Sequence, residues 1–316
     1  MAQQELRQVE RKYRRIKRQM RREKKHQPLR IALILLAALA VLSVWIGTLP
    51  YPEPDLPDAL RVCFLDVGQG DAALLRTPEH AVLIDAGDFD HGYAVVQMRK
   101  ALGVKHLDAA VCSHPHADHM GGMKTVLTCI PTDTLYLPEI PAQLLPTEPY
   151  FTELLDTAEN QNTVLRSPAC HEAVVLDGTK LEFLCTDCSA FEDLNNCSLG
   201  CRVTCGNISF YFAGDQEKES EQAMLEAGLI AQVSVLKVSH HGSNSSTSEA
   251  FLNAAKPEYA VISCAAMNDY GHPAARVLGR LADAECQIFR TDLNGSVLFA
   301  TDGKTLRTVT NAVTAG

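Results

Sequence analysis

Basic charge is scarce once the first 30 residues are set aside. Of the 29 Lys and Arg and 38 Asp and Glu in the chain, those residues hold 12 and 3, which leaves 17 basic against 35 acidic residues, a balance of −18. Such a surface does not hold nucleic acid through bulk charge, because non-specific affinity for phosphate comes from Lys and Arg displacing counterions. The chain also lacks an internal motif repeat and, past the leader, low-complexity tracts, which excludes solenoid and compositionally biased architectures. An A-x-A-like cleavage site is missing before Tyr51-Pro52-Glu53-Pro54, which argues against a cleaved signal peptide.

What is present begins with a basic leader at residues 1–30, followed by the 19 uncharged residues Ile31 to Leu49. That length crosses a hydrocarbon core with little tilt, and cations on one flank orient a span with that flank inside. We therefore expect one retained transmembrane helix over 31–49 in the cell membrane, with Trp45 near the outer interface, the N-terminus cytoplasmic and the remainder extracellular. Within the leader, Leu6, Val9, Tyr13, Ile16 and Met20 fall at helical spacing, which suits a topology-setting segment, a basic helix on anionic lipid or a short dimer seam. Residues 50–60, rich in Pro and acid, read as a linker, and 61–316 as one α/β domain.

The densest chemical feature is Ser113-His114-Pro115-His116-Ala117-Asp118-His119-Met120-Gly121-Gly122, directly after the apolar run Ala109 to Cys112. Imidazole and carboxylate are ligands that suit zinc, iron and manganese. Other strand-like runs end the same way: Ile208 to Phe212 leads into Gly214-Asp215, Val233 to Val238 into His240-His241-Gly242-Ser243, and Val82 to Ile84 into Asp85-Ala86-Gly87. Ligands at strand ends give the rigid placement that a metal site requires.

Taken in order, these segments, together with Phe64-Leu65-Asp66-Val67-Gly68-Gln69-Gly70-Asp71 and Asn268-Asp269-Tyr270-Gly271-His272-Pro273, resemble the metallo-β-lactamase-fold hydrolase domain of the ComEC-like competence protein family. The resemblance runs from Arg61 to Thr301 and does not extend to that family's many-helix channel or its small OB-type DNA-binding domain. It implies an α/β fold, the αβ/βα four-layer sandwich, with two divalent metal ions, zinc or manganese, at the strand rim. It also implies roles. His114 and His116 would hold the first ion, Asp118 and His119 the second, and Asp215 would bridge them. His240 would complete the second site, with His241 either the true ligand or a phosphate contact. Asp85 would orient a ligand histidine through its other ring nitrogen. For Asp66, Gln69 and Asp71, turn formation, ligand support and substrate contact all stay open.

One departure matters. Many members of the wider fold give the first metal a third histidine, and the only His in the corresponding stretch is His171; the ComEC-like Asn-x-x-Ser signature reads Asn195-Asn196-Cys197-Ser198. The first site is therefore expected to be ligand-poor and exchangeable, which admits manganese as well as zinc. Cys197 stands as either a thiolate ligand or a small buried residue.

Paired cations activate water near neutral pH and stabilise charge that develops at phosphorus or a carbonyl, so hydrolysis is the expected reaction. Asp118 would orient the attacking water, and His241, His272 or Lys237 would protonate the leaving group. The expected activity is phosphodiester hydrolysis, with single-stranded DNA ranked first and a separate DNA-channel protein as partner. The acidic balance argues for small or transient substrates. Three alternatives stand beside it: a cell-wall or lipid phosphodiesterase resembling phosphorylcholine esterase, a β-lactam hydrolase, which the missing histidine disfavours, and a non-catalytic module in DNA uptake.

The 11 cysteines are odd in number, and a domain of this size buries a core without staples, so no obligate disulfide framework is expected. Alternation predicts strands at 61–67, 72–76, 81–84, 108–112, 181–185, 198–204, 208–212, 233–238, 259–262, 287–290 and 296–300. Helices are predicted at 91–102, 217–227, 247–254 and 273–281. Residues 138–175 read as loops around a short helix near 151–159.

Overall fold

The computed structural model describes residues 58–310. The leader, the expected span at 31–49 and most of the linker lie outside those residues. Among the described residues no helix is long and apolar enough to cross a membrane.

Fifteen strands form two sheets: β1 (Leu60–Phe64), β2 (Ala72–Arg76), β3 (Ala81–Ala86), β4 (Leu107–Val111), β5 (Thr132–Tyr136), β6 (Val164–Arg166), β7 (Ala173–Leu176), β8 (Thr179–Leu184), β9 (Gly200–Cys205), β10 (Ile208–Phe212), β11 (Val235–Lys237), β12 (Tyr259–Ile262), β13 (Gln287–Arg290), β14 (Val297–Thr301) and β15 (Leu306–Val309). The first sheet runs β15-β14-β1-β2-β3-β4-β5-β6 and the second β13-β12-β11-β10-β9-β8-β7. The main helices are α1 (Gly92–Ala101), α2 (Ala117–Met120), α3 (Met123–Cys129), α4 (Pro149–Asn160), α5 (Lys218–Glu226), α6 (Glu249–Ala255), α7 (Ala275–Asp283) and α8 (Thr291–Asn294).

Strand alternation sorts the side chains into three apolar layers. Val62 and Phe64 of β1 face the second sheet; Phe64 stacks on Phe212 of that sheet at 5.5 Å and meets Phe299 of its own sheet edge-on at 5.9 Å. Their neighbour Cys63 faces the opposite way, into a layer closed by Val95 and Met98 of α1 and by Met123, Val126 and Leu127 of α3. On the far side of the second sheet, Met224, Leu252, Val277 and Leu281 of α5, α6 and α7 close the third layer. The order helix, sheet, sheet, helix is the four-layer sandwich.

The parallel part of each sheet positions the site. Strands β3 to β6 run parallel, as do β10 to β13. The candidate ligands leave the C-terminal ends of β3, β4, β10 and β11, so they gather on one rim. Residues 138–175 depart from the sequence expectation: they hold α4 and also the strands β6 and β7. Both are edge strands; β6 is exposed throughout and β7 alternates exposed and half-buried. An edge strand buries no continuous apolar run, so composition gives it no signal. The predicted start of α7 at Pro273 shifts to Ala275.

At the opposite end of β3 and β4, the His80 Nδ1 lies 2.7 Å from Asp108 Oδ1, and Asp177 of the β7–β8 turn approaches its other nitrogen at 4.0 Å. The hydrogen bond to Asp108 raises the His80 pKa, burial opposes it, and the charges of Asp108, Asp177 and Glu79 add to the rise. A raised folded-state pKa adds stability that is complete below the unfolded value and disappears as pH climbs through the folded one. The Tm deficit of a His80→Asn protein is expected to be larger at pH 5.5 than at pH 8.5. Equal deficits at both would remove the pair from the account.

Candidate metal centre

Asp118, His119, Asp215 and His241 each present one ligand atom within 4.8 Å of all the others. Asp118 and His119 sit on α2, the turn of helix that follows the two leading histidines. Asp215 follows β10, with its backbone N–H donating to Ser198 Oγ at 3.0 Å. His119 Nε2 and Asp215 Oδ1 face each other at 3.1 Å, both buried and neither in a hydrogen bond. His241 Nε2 lies 3.2 Å from Asp118 Oδ2 and 3.5 Å from Asp215 Oδ2. Two imidazole nitrogens and two carboxylates aimed at one point, with buried donor atoms left unpaired, fit a divalent cation.

His114 and His116 form the adjoining pair. His114 is buried, its Nε2 is 3.0 Å from His116 Nδ1, and its ring lies 4.2 Å from that of His119. His171 stays away: its side chain is 62 % exposed and its Nδ1 pairs with Glu182 at 3.2 Å.

His240, the expected ligand, stands outside the four-residue group, with its Nε2 3.7 Å from Asp215 Oδ2 and its Nδ1 3.1 Å from Glu217 Oε1. Both histidines have left-handed backbones, φ 49° and 52°. That conformation is uncommon for residues with a Cβ and is stored at functional sites. It turns the chain so sharply that the second ring of the pair, not the first, enters the group. Gly242, at φ 81°, completes the turn, and a Cβ there would strike Pro273 at 2.6 Å.

Behind the histidines stand two buried carboxylates. Asp85 accepts from Ser113 N at 2.7 Å and Ser113 Oγ at 2.8 Å, and meets His119 Nδ1 at 3.0 Å. Asp71 lies 3.4 Å from His241 Nδ1, whose ring nitrogen also donates to the Ser263 carbonyl at 2.9 Å. These contacts direct each Nε2 toward the group. Gly70 lets the Asp118 backbone close in, since a Cβ at that position would run into the Asp118 carbonyl.

Lys237 is the clearest surprise. The sequence reading offers it as a proton donor to the leaving group, but it is buried behind the site, with its Nζ 2.5 Å from Asp71 Oδ2 and donating to the Val238 carbonyl at 2.9 Å. It does not face a substrate. Of the other residues of the opening motif, Asp66 Oδ1 accepts from Gly68 N at 3.3 Å, and Gln69 Oε1 accepts from Ala265 N at 3.2 Å. Ser113 and Glu217 escaped the sequence reading, and only their adjacency to the His114 and Asp215 motifs hints at them.

The charge balance is tuned to the same point. Burial lowers His119 and His241, yet Asp215 with Asp85 raises the first and Asp215 with Asp71 raises the second well above the ordinary histidine value. Asp215 and Asp118 are held below the usual carboxylate range by these imidazoles in spite of burial. Asp71, despite burial, is drawn down to about 2 by Lys237 and then His241. His114 is pushed well down by burial and by His119. His272, whose ring stacks 6.4 Å from that of His241 and 5.6 Å from that of Tyr270, is lowered to about 4 by burial and then by His241 and His240. Asn268 holds that loop, accepting from His272 N at 2.9 Å and donating to the Ala265 carbonyl at 2.9 Å.

The Asn195 to Ser198 segment braces the bridge position. Asn196 Oδ1 accepts from the backbone of Glu217 and Ser220, at 3.2 Å each, at the start of α5. Cys197 is joined to Cys188 across a separation of nine residues, so it is neither a thiolate ligand nor a free thiol; the other nine described cysteines are free. Closing so short a loop restrains the unfolded chain by about 2–3 kcal/mol. Cys188→Ser with Cys197→Ser is expected to lower the urea midpoint, by about 2–3 kcal/mol in unfolding free energy, and added reductant should then change nothing further. An unaltered midpoint would assign the bridge no stabilising part.

Comparison with known proteins places this arrangement. The chain is 28 % identical over 264 residues to ComE operon protein 3 of Bacillus subtilis (strain 168), covering 78 % of this chain and 34 % of that protein. It is 31 % identical over 288 residues to Competence protein ComA of Neisseria gonorrhoeae, covering 86 % of this chain and 38 % of that protein. The chain thus spans little more than a third of these relatives. Among solved structures, Igni18, a novel metallo hydrolase from the hyperthermophilic archaeon Ignicoccus hospitalis KIN4/I, superposes with a TM-score of 0.50 at 13 % identity, over 77 % of this chain and 100 % of the other; at that identity the likeness is one of fold. Residues 65–266 match the family described as the metallo-beta-lactamase superfamily, and the chain belongs to that superfamily, in likeness to the hydrolase domain of ComEC-type competence proteins.

Proposed function

We propose that the chain is a membrane-anchored, outward-facing metal-dependent phosphodiesterase that cleaves nucleic acid, single-stranded DNA first, in a ComEC-like role beside a separate DNA-channel protein. The observation that carries this reading is the buried group Asp118, His119, Asp215 and His241, backed by Asp71 and Asp85. Two divalent ions, zinc or manganese, would supply an activated water and offset charge on a phosphoryl group. His114 and His116 would hold the first and Asp118, His119 and His241 the second, with Asp215 between them.

The chain's own groups suit the remaining tasks. Asp118 is 32 % exposed while His119, Asp215 and His241 are buried, so it is the carboxylate of the group that reaches solvent and orients the attacking water. The His272 ring, beside Tyr270, lies against His241 and His240, and with its pKa lowered to about 4 it is neutral, so it would contact the substrate and not protonate the leaving group as the sequence reading expects. The likeness to competence proteins supports DNA as substrate. The apolar run at 31–49 supports the anchor, and the Cys188–Cys197 bridge suits an oxidising exterior.

The test is a metal-depleted protein refilled separately with manganese and zinc and offered single-stranded DNA, RNA, bis(p-nitrophenyl) phosphate and a phosphorylcholine ester. Cleavage of DNA and the small diester is expected. Turnover of the choline ester alone would transfer the activity to cell-wall or lipid substrates, and no turnover with either metal would end the reading.

A further inference from the structure

A cavity of about 310 Å³ opens between α1, α3 and α4. Met120 and Gly121, the two residues after His119 in the chain, line it. Gly121 lets the backbone at Phe89 pack against α2; a Cβ there would meet Phe89 N at 2.7 Å. The walls carry three aromatic rings. Phe89 is 49 % exposed and Tyr93 66 % exposed, which is unusual for rings of that size in a chain that is 6 % aromatic. Tyr150 packs edge-on against Phe89 at 5.4 Å and donates its hydroxyl to the Pro115 carbonyl at 2.8 Å, inside the motif that carries His114 and His116. One wall of the cavity is therefore anchored to the reactive loop itself.

We propose that this cavity is a nucleobase subsite, in which a base flanking the scissile phosphate lies among Phe89, Tyr93 and Tyr150. Its choice of ligand rests on the phosphodiester reading above. The volume admits one base with its sugar, and exposed aromatic faces suit stacking, which every base permits. The other ligand that favours aromatic walls is a quaternary ammonium, which the rings alone would have to hold. The rim acid Glu153 is already paired with Lys124 at 2.7 Å, so the cavity offers no unpaired anion among its described lining residues. Recognition through stacking also answers the acidic balance of the domain: it needs no basic track, so binding is expected to change little with salt, in contrast to proteins that hold the phosphate backbone.

The experiment compares a thymidine dinucleotide with its abasic counterpart, on the full-length chain and on its Phe89→Ala and Tyr93→Ala variants, by equilibrium binding and by KM. Both rings are exposed enough for the variants to fold, and circular dichroism confirms it. The wild type is expected to prefer the base-carrying ligand by about tenfold or more, and each variant to lose most of that preference, as removal of a stacking ring does. Binding that prefers the base and depends on the rings, without cleavage, would sustain the subsite and overturn the hydrolytic reading. Cleavage with no preference, or a preference that both variants keep, would overturn the subsite and leave hydrolysis intact. Competition by choline but not by thymidine would also overturn it.

Discussion

Asp215→Asn is expected to reduce hydrolysis on the order of 10³-fold and to strip metal from the protein on dialysis. Among the described residues, Asp215 is the one carboxylate that three histidines reach: His119 at 3.1 Å, His241 at 3.5 Å and His240 at 3.7 Å. The amide keeps the shape and removes the charge, so both candidate ion positions lose their shared anion. Folding should survive, because the Ser198 hydroxyl bonds to the backbone of Asp215 and not to its carboxylate. Metal content after dialysis and kcat/KM on bis(p-nitrophenyl) phosphate are the two measurements. A variant that retains its metal and stays within tenfold of the parent rate would displace Asp215 from the centre of the site.

The histidine motif announces that site because strand, polar turn and ligand spacing coincide within a few residues. The same coincidence makes Asp85 and Asp215 readable. Two features hide. The choice between His240 and His241 depends on consecutive left-handed residues, φ 49° and 52°, and alternation rules assume an extended chain. Lys237 reads as an available cation at the end of an apolar strand, yet β11 lies inside the second sheet and turns it inward toward Asp71. The scaffold divides in the same way. Strands with a buried apolar face, such as β1, β10 and β14, stand out in the sequence, whereas β6 and β7 owe their existence to a neighbour already in place. His171, which the sequence reading leaves out of the ligand set, sits on a loop, 62 % exposed and paired with Glu182.

The Lys237–Asp71 pair is expected to behave as a unit. Its partners are 3 % and 7 % exposed and 2.5 Å apart, and Asp71 Oδ1 has no hydrogen-bond partner. Removing the ammonium with Lys237→Met would leave the buried Asp71 carboxylate without its cation, a loss of about 3–5 kcal/mol. Asp71→Asn alone should also destabilise, since it buries an unpaired ammonium. The double variant removes both charges and should lose less than the sum of the single losses by about 2 kcal/mol or more. Urea unfolding in the presence of chelator reads the cycle, and additive losses would mean that the two groups act independently. Divalent metal sharpens the test. Asp71 lies 3.4 Å from His241 and 3.9 Å from His119, the histidines proposed to hold the second ion. A bound dication compensates part of the negative charge that Lys237→Met exposes. The same substitution should therefore cost less stability in the metal-loaded protein than in the stripped one. An equal cost in both would place the ion beyond the electrostatic reach of Asp71.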